Sequence, residues 1–218
     1  MKYIYYALLL SGLAITIIRW RRLDRSLHLF VPLYIAALVT QAIVDKAISD
    51  KAIVDKTTVP LFLYHINQAI ETILLFSYYY LLLAETRLSK WIWVALALYL
   101  VYFTAYFIRF PTVFFKFDPI DLVVEGAFIT LFSLYYLIEL YRSQEQVRFF
   151  NYPHFWIAAG NLIFYSGASF FMGFAHTLSK NDKTLYAQLA PIVEVLNLML
   201  YSIYIKGLLC PSPEKRPN

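Results

Sequence analysis

The chain has 218 residues, of which 61% are hydrophobic, 19% aromatic and only 15% charged, whereas an ordinary soluble domain has roughly 45–50% apolar and about 25% charged residues. These proportions describe a membrane protein and exclude a soluble catalytic domain, because seven crossings of about 20 apolar residues each take up roughly two-thirds of the chain. The net charge of +5 does not point to nucleic acid, since the basic residues sit in connections between apolar segments, where they set topology. One cysteine, Cys210, excludes an internal disulfide and any cysteine-based zinc or iron–sulfur centre within a single chain.

Seven apolar segments follow in order, at Tyr3 to Trp20, His28 to Val44, Val59 to Leu83, Trp91 to Ile108, Asp118 to Tyr141, Phe155 to His176 and Leu185 to Lys206. Each is long enough to span a bilayer. None alternates with the dyad period of a barrel strand, so their backbone groups must be satisfied within helices. The predicted fold is all-α: a single seven-transmembrane-helix bundle over residues 1–208, then a short disordered cytoplasmic tail at 209–218 ending in the polar, proline-rich PSPEKRPN. The first segment has no small-residue cleavage site after it and reads as a retained helix rather than a signal peptide. Between the second and third segments, DKAISDKAIVDK at 45–56 pairs Lys46 with Asp50 and Lys51 with Asp55 at i,i+4. It reads as a solvated connection or a charged stub, each pair adding about 0.2–0.5 kcal/mol.

Loop charges predict an N-out, C-in orientation. With that parse 11 of the 19 basic residues lie inside, most of the excess coming from WRRLDR after the first segment. Trp20, Trp91, Trp93 and Trp156 then all fall at the inner interface, where an aromatic belt is expected.

An ionisable residue in a spanning helix costs about 2.5–3.5 kcal/mol on insertion scales and needs a reason to be there. Glu71, Glu125 and Glu194 lie in the third, fifth and seventh segments, roughly 18, 10 and 14 Å below the outer helix ends at 1.5 Å per residue. Three carboxylates at similar depth repel one another if ionised together. Their neighbours share helical faces: Tyr64, Gln68 and Glu71 with His65 at the edge of the same arc; Glu194, Asn197 and Tyr201; Asp121 and Glu125 with Phe128, Phe132 and Tyr136; and Asn161, Tyr165 and His176. Pro191, just before Glu194, is expected to kink the last helix. The fourth segment is almost wholly apolar and faces lipid, so helices three, five, six and seven should surround a polar interior, with the first and fourth peripheral. Gly160 and Gly167, one heptad apart, would let the sixth helix approach a neighbour closely. The candidate ligand-binding residues are His65, Gln68, Glu71, Glu125, Glu194, Asn197 and Tyr201. Together they suit a cationic or hydrogen-bonding ligand, a metal ion or protons, and each taken singly is also explained as glue between helices.

Several chemistries lack their residues. A retinal Schiff base needs a lysine in the middle of the last helix, and Lys206 stands at its end. Seven-helix zinc hydrolases need several histidines at one depth, but only His65 and His176 could meet, with His28 and His154 at the other interface. No HExxH, GxSxG or GxxxxGK[ST] pattern occurs. Ser166 and Ser169 have no histidine evidently placed as a base. The expectation is a non-enzyme with no cofactor, no metal and no catalytic residues.

The run NYPHFWIAAGNLIFYSGASFFMGF, followed by PIVEVLNLMLYSIYIKGLLC, resembles a family of seven-helix membrane proteins from Bacteroidota with a Pro-x-Phe-Trp start, a Leu/Ile-x-Tyr/Phe-x-Ser-Gly centre and an Asn-x-x-x-Tyr final helix. The segment YHINQAIETILLFSYYY is similar to the third helix of that group, and together these cover about half of the chain. The chain departs from the pattern at Asn161 and Ala168. The resemblance implies a bacterial inner-membrane bundle associated with sensor histidine kinase systems, and singles out Glu71, Pro153, Trp156, Ser166, Gly167, Asn197 and Tyr201 without giving any of them a role. The expected function is a sensory or receptor-like module that signals to a separate partner, a histidine kinase or other signalling protein, and is open to homo-oligomerisation. The alternative is a proton- or cation-coupled transporter or permeation protein, with an intramembrane enzyme as the least favoured reading.

Overall fold

The computed structural model describes residues 2–49, 58–110, 120–142, 149–181, 184–185, 189 and 191–211. Every regular element among them is helical. We number the seven α-helices α1 (Lys2–Ile18), α2 (Phe30–Ser49), α3 (Thr58–Leu82), α4 (Ser89–Arg109), α5 (Ile120–Arg142), α6 (Pro153–Asn181) and α7 (Pro191–Leu209). Their boundaries follow the punctuation of the sequence. α1 stops where the basic WRRLDR run replaces apolar residues, and two short 3-10 turns, Trp20–Arg22 and Arg25–Leu29, carry the chain into α2. Pro153 and Pro191 open α6 and α7, where a missing N–H removes no helical hydrogen bond. The expected kink at Pro191 falls where Ala190 lies outside the described residues, with Leu189 just before it also helical.

Five stretches are long and apolar enough to cross a membrane: Arg25–Ala47, Ser89–Arg109, Ile120–Arg142, Pro153–Phe174 and Pro191–Leu209. The chain is thus an integral membrane protein. α1 is apolar but has only 17 residues. α3 has 25 yet is not among the five, because His65, Asn67, Gln68 and Glu71 break its apolar run. Among the described residues, five helices carry a full span by length and composition.

Consecutive helices pack on one another from α1 to α7, and α7 returns to pack on α1, so the bundle closes into a ring; α3 also meets α5 across it. This corrects the expected placement of α1, which is packed between α2 and α7 and contributes to the interior. α4 does turn a broad apolar face outward: Trp91, Leu98, Val101 and Ile108 are exposed, while Ile92, Leu96, Tyr99 and Phe107 are buried. Small residues set the closest approaches. A Cβ at Gly126 of α5 would run into the Ser169 side chain of α6, and Gly160 and Gly167 of α6 lie against Ile203 and Leu196 of α7 at 3.0 and 3.1 Å from an added Cβ.

Large rings fill the centre, with Tyr34, Tyr78, Tyr79, Tyr165, Tyr204, Phe30 and Phe76 all essentially inaccessible. Edge-to-face pairs hold them, such as Phe30 on Tyr204 at 4.9 Å and Phe76 on Phe132 at 5.1 Å, the geometry that aromatic quadrupoles prefer. At the end where the four tryptophans gather, Arg19 donates to the carbonyls of Leu208 and, at 2.9 Å, Cys210. These are carbonyls that the last turn of α7 leaves without intrahelical partners. The first turn region and the end of α7 are thereby tied together. Burial pushes the Cys210 thiol above its ordinary pKa. Asp50, Lys51, Asp55, residues 212–218 and the side chain of His176 lie outside the described residues.

Candidate functional site

At the end of the bundle opposite the tryptophans, the ring encloses a cavity of about 540 Å³, within the range of small-molecule sites. All seven candidate residues, His65, Gln68, Glu71, Glu125, Glu194, Asn197 and Tyr201, line it. α3 supplies the most polar wall because positions three and four apart on a helix fall on one face. That spacing brings Tyr64, Gln68 and Glu71 to the cavity together, flanked by His65 and Asn67. α5 crosses opposite with Asp121 and Glu125, α7 with Glu194, Asn197 and Tyr201, and α6 with Phe164 and Tyr165.

The polar groups are connected pairwise between helices. His65 and Asp121 are both buried and meet at 2.7 Å, Nδ1 to carboxylate, joining α3 to α5. Asp121 stands in the first turn of α5 and its other oxygen accepts from the Leu122 N–H at 2.9 Å, the arrangement that a helix N-terminus favours for an anion. The Tyr165 hydroxyl donates to Glu71 at 2.8 Å, joining α6 to α3. Glu71 also interacts electrostatically with Glu125 across the cavity wall, and Thr72 and Gln68 sit beside the Glu125 carboxyl. Glu125 is 1% exposed. Its Oε1 and the Gln68 Nε2 have no hydrogen-bond partner among the described residues.

Glu194 departs from expectation. It lies in the first turn of α7 and is exposed, only about 4–5 Å along the axis from the start of the helix at 1.5 Å per residue. Its side chain is exposed while still lining the cavity. Two deep carboxyls, Glu71 and Glu125, remain.

Sequence reasoning missed the contributions of α1 and α2. Tyr5 lines the cavity and packs edge-on against Tyr201 at 5.5 Å; Lys2 and Gln41 also line it and converge on Asp45 at 3.0 and 3.2 Å, with Tyr6 donating to the same carboxylate at 2.6 Å. The signal available was the lone acid Asp45 near the end of an apolar segment, which needed a partner from another helix.

Beyond the cavity, toward the tryptophan end, the buried Asn161 of α6 organises a second polar group. Ser133 donates to the Ile129 carbonyl at 2.7 Å, which leaves its oxygen to accept from Tyr79 at 2.6 Å. Asn161 donates to the Tyr79 oxygen at 2.8 Å and accepts from Tyr204. The result is a directed relay, Tyr204 to Asn161 to Tyr79 to Ser133, across α7, α6, α3 and α5. Next to Tyr79, Tyr78 meets His154 at 3.0 Å, and His154 meets Asp24 of the first turn region at 3.2 Å. Asn161 and Tyr165 thus serve different sites, one turn of α6 apart. Ser166 is exposed and donates to the Leu162 carbonyl at 2.6 Å, a local helix bond.

Compared with known proteins, the chain matches no family model, no curated protein and no solved structure.

Proposed function

We propose that this protein is a receptor-like module of seven spanning helices, N-out and C-in, which takes a small ligand into its outward-facing cavity and passes the event to a separate signalling partner at the inner face. The observation that carries this reading is the cavity itself: a polar, aromatic-walled chamber at one end of a closed ring, built from α1, α2, α3, α5, α6 and α7 together. A ligand biases helix packing only through different affinities for two arrangements, and a chamber walled by six helices makes its contacts sensitive to their spacing. The relay through Asn161 and the Tyr78–His154–Asp24 chain supply directional contacts between the same helices and the inner end, which supports transmission along the bundle. The effector in this reading is a second protein, in line with the resemblance to proteins that work beside sensor histidine kinases.

The competing reading is proton- or cation-coupled transport through the same acidic chamber. Reconstitution in sealed proteoliposomes separates the two. A receptor should give no saturable flux of protons or small cations above that of protein-free vesicles. Robust saturable flux abolished by Glu71→Gln would overturn the receptor reading.

A further inference from the structure

We propose that the connection between α1 and α2 binds an anionic phospholipid, with the lipid phosphate on Arg21, Arg22 and Arg25 and an acyl chain against the end of α1. The site lies on the outer surface of the bundle at the tryptophan end and is independent of what the cavity holds.

The charge balance of the connection gives the first argument. Residues 19–25 carry four arginines and a single acid, Asp24. Arg19 is committed to the carbonyls of Leu208 and Cys210, and Asp24 is engaged by His154 at 3.2 Å. Arg21, Arg22 and Arg25 are exposed, and neither Arg21 nor Arg25 forms an ion pair among the described residues. One cation of the run is therefore spent on holding α7, and a cluster of positive charge is left at the surface. Basic clusters bordering a spanning helix attract anionic lipid, and the planar guanidinium fork matches phosphate oxygens in pairs. The Cα atoms of Arg21 and Arg25, four residues apart, are separated by at most about 14 Å, which keeps the cluster on the scale of one headgroup region.

The surface next to the arginines gives the second, independent argument. Ile17 and Ile18, in the last turn of α1, are exposed, as is Trp20. The Trp20 indole lies flat on the His28 imidazole at 3.8 Å, and His28 Nε2 bonds to the Trp20 carbonyl at 2.9 Å, so the turn that presents Arg21 and Arg22 is held from both sides. An apolar helix end running through an interfacial tryptophan into exposed arginines has the order of a phospholipid, chain first and phosphate next. This order favours lipid over an acidic protein as the occupant. In an integral membrane protein Ile17 and Ile18 face acyl chains, which sets the adjoining arginines at headgroup depth.

The test uses the full chain in a neutral detergent, offered equal amounts of phosphatidylglycerol and phosphatidylcholine with identical acyl chains, and native mass spectrometry counts the bound lipids. Phosphatidylglycerol adducts should outnumber phosphatidylcholine adducts by at least about threefold, and the excess should shrink as salt is raised. Arg21→Gln/Arg25→Gln should bring the ratio to about one, with circular dichroism confirming the fold. Arg109→Gln, which removes an exposed cation at the far end of α4, should leave the ratio unchanged. Equal counts of the two lipids on the unaltered protein overturn the proposal whether or not the variants fold. An undiminished preference in folded Arg21→Gln/Arg25→Gln protein, or the same loss in Arg109→Gln, overturns it too. Inorganic phosphate and a hexaglutamate peptide, each in molar excess over lipid, should leave the phosphatidylglycerol adducts in place. Displacement by phosphate would make this a site for free anions, and displacement by the peptide a surface for an acidic protein; either result overturns the lipid assignment.

Discussion

Replacing Asn161 with Leu removes the residue on which four helices converge while keeping its approximate volume. Asn161 is fully buried and makes two interhelical hydrogen bonds, donating to Tyr79 and accepting from Tyr204. The two losses are unequal. Tyr79 keeps its bond to Ser133 at 2.6 Å and loses only an accepted bond, whereas the Tyr204 O–H loses the acceptor that the structure gives it. Interhelical hydrogen bonds within membranes are worth about 0.6 kcal/mol on average and up to about 1.7, so two of them predict a loss of about 1–3 kcal/mol. An orphaned buried hydroxyl puts the value toward the upper part of that range. Tyr204→Phe alone should also destabilise, by leaving the Asn161 oxygen unsatisfied. The double variant Asn161→Leu/Tyr204→Phe should cost less than the sum of the singles by at least about 0.5 kcal/mol, because the second change removes the group orphaned by the first. Reversible unfolding in bicelles, followed by circular dichroism, measures all three. A neutral Asn161→Leu protein, or strictly additive singles, would refute the relay as a stabilising unit.

Other consequences follow from particular contacts. Gly126→Ala should destabilise by about 1–3 kcal/mol, since its methyl meets the Ser169 side chain at a packed helix crossing. Gly173→Ala, where an added Cβ meets nothing within 4 Å, should be neutral or stabilising by up to about 1 kcal/mol from helix propensity; melting temperatures of the pair provide the check. Arg19→Ala should free the end of α7, raising hydrogen exchange at residues 207–211 while leaving the cavity helices protected, and uniform loss of protection would contradict the local role. The Cys210 thiol, buried and with its pKa held above the ordinary value by burial, should react with a small maleimide at pH 7 markedly more slowly than a free thiol.

Much of this arrangement is legible in the sequence, for identifiable reasons. Apolar runs of span length give the helices, since lipid leaves the backbone no alternative. The stripe of Tyr64, Gln68 and Glu71 on α3 gives the wall of the cavity, because polar side chains that share a helical face in a membrane protein share a protein interior. Gly160 and Gly167 give the close approach of α6 to α7. What periodicity does not carry is which faces meet. The match of His65 to Asp121, the convergence of Lys2, Gln41 and Tyr6 on Asp45, and the relay through Asn161 all join helices distant in sequence, and a pattern within one helix holds no information about its neighbour. Glu194 shares the cavity with Glu71 and Glu125 but is exposed, a difference that periodicity within α7 does not encode.

The central claim, a polar cavity open to the outside of a membrane bundle, is tested most directly by the two-sided reactivity of one residue. Asn197 lines the cavity on α7, between the exposed Glu194 and the buried Tyr201. Asn197→Cys in a Cys210→Ser background, in sealed right-side-out vesicles, should react with an impermeant maleimide from the outside and remain unreactive when the reagent is confined to the lumen. Reaction only from the lumen, or no reaction from either side in a folded protein, would contradict the account.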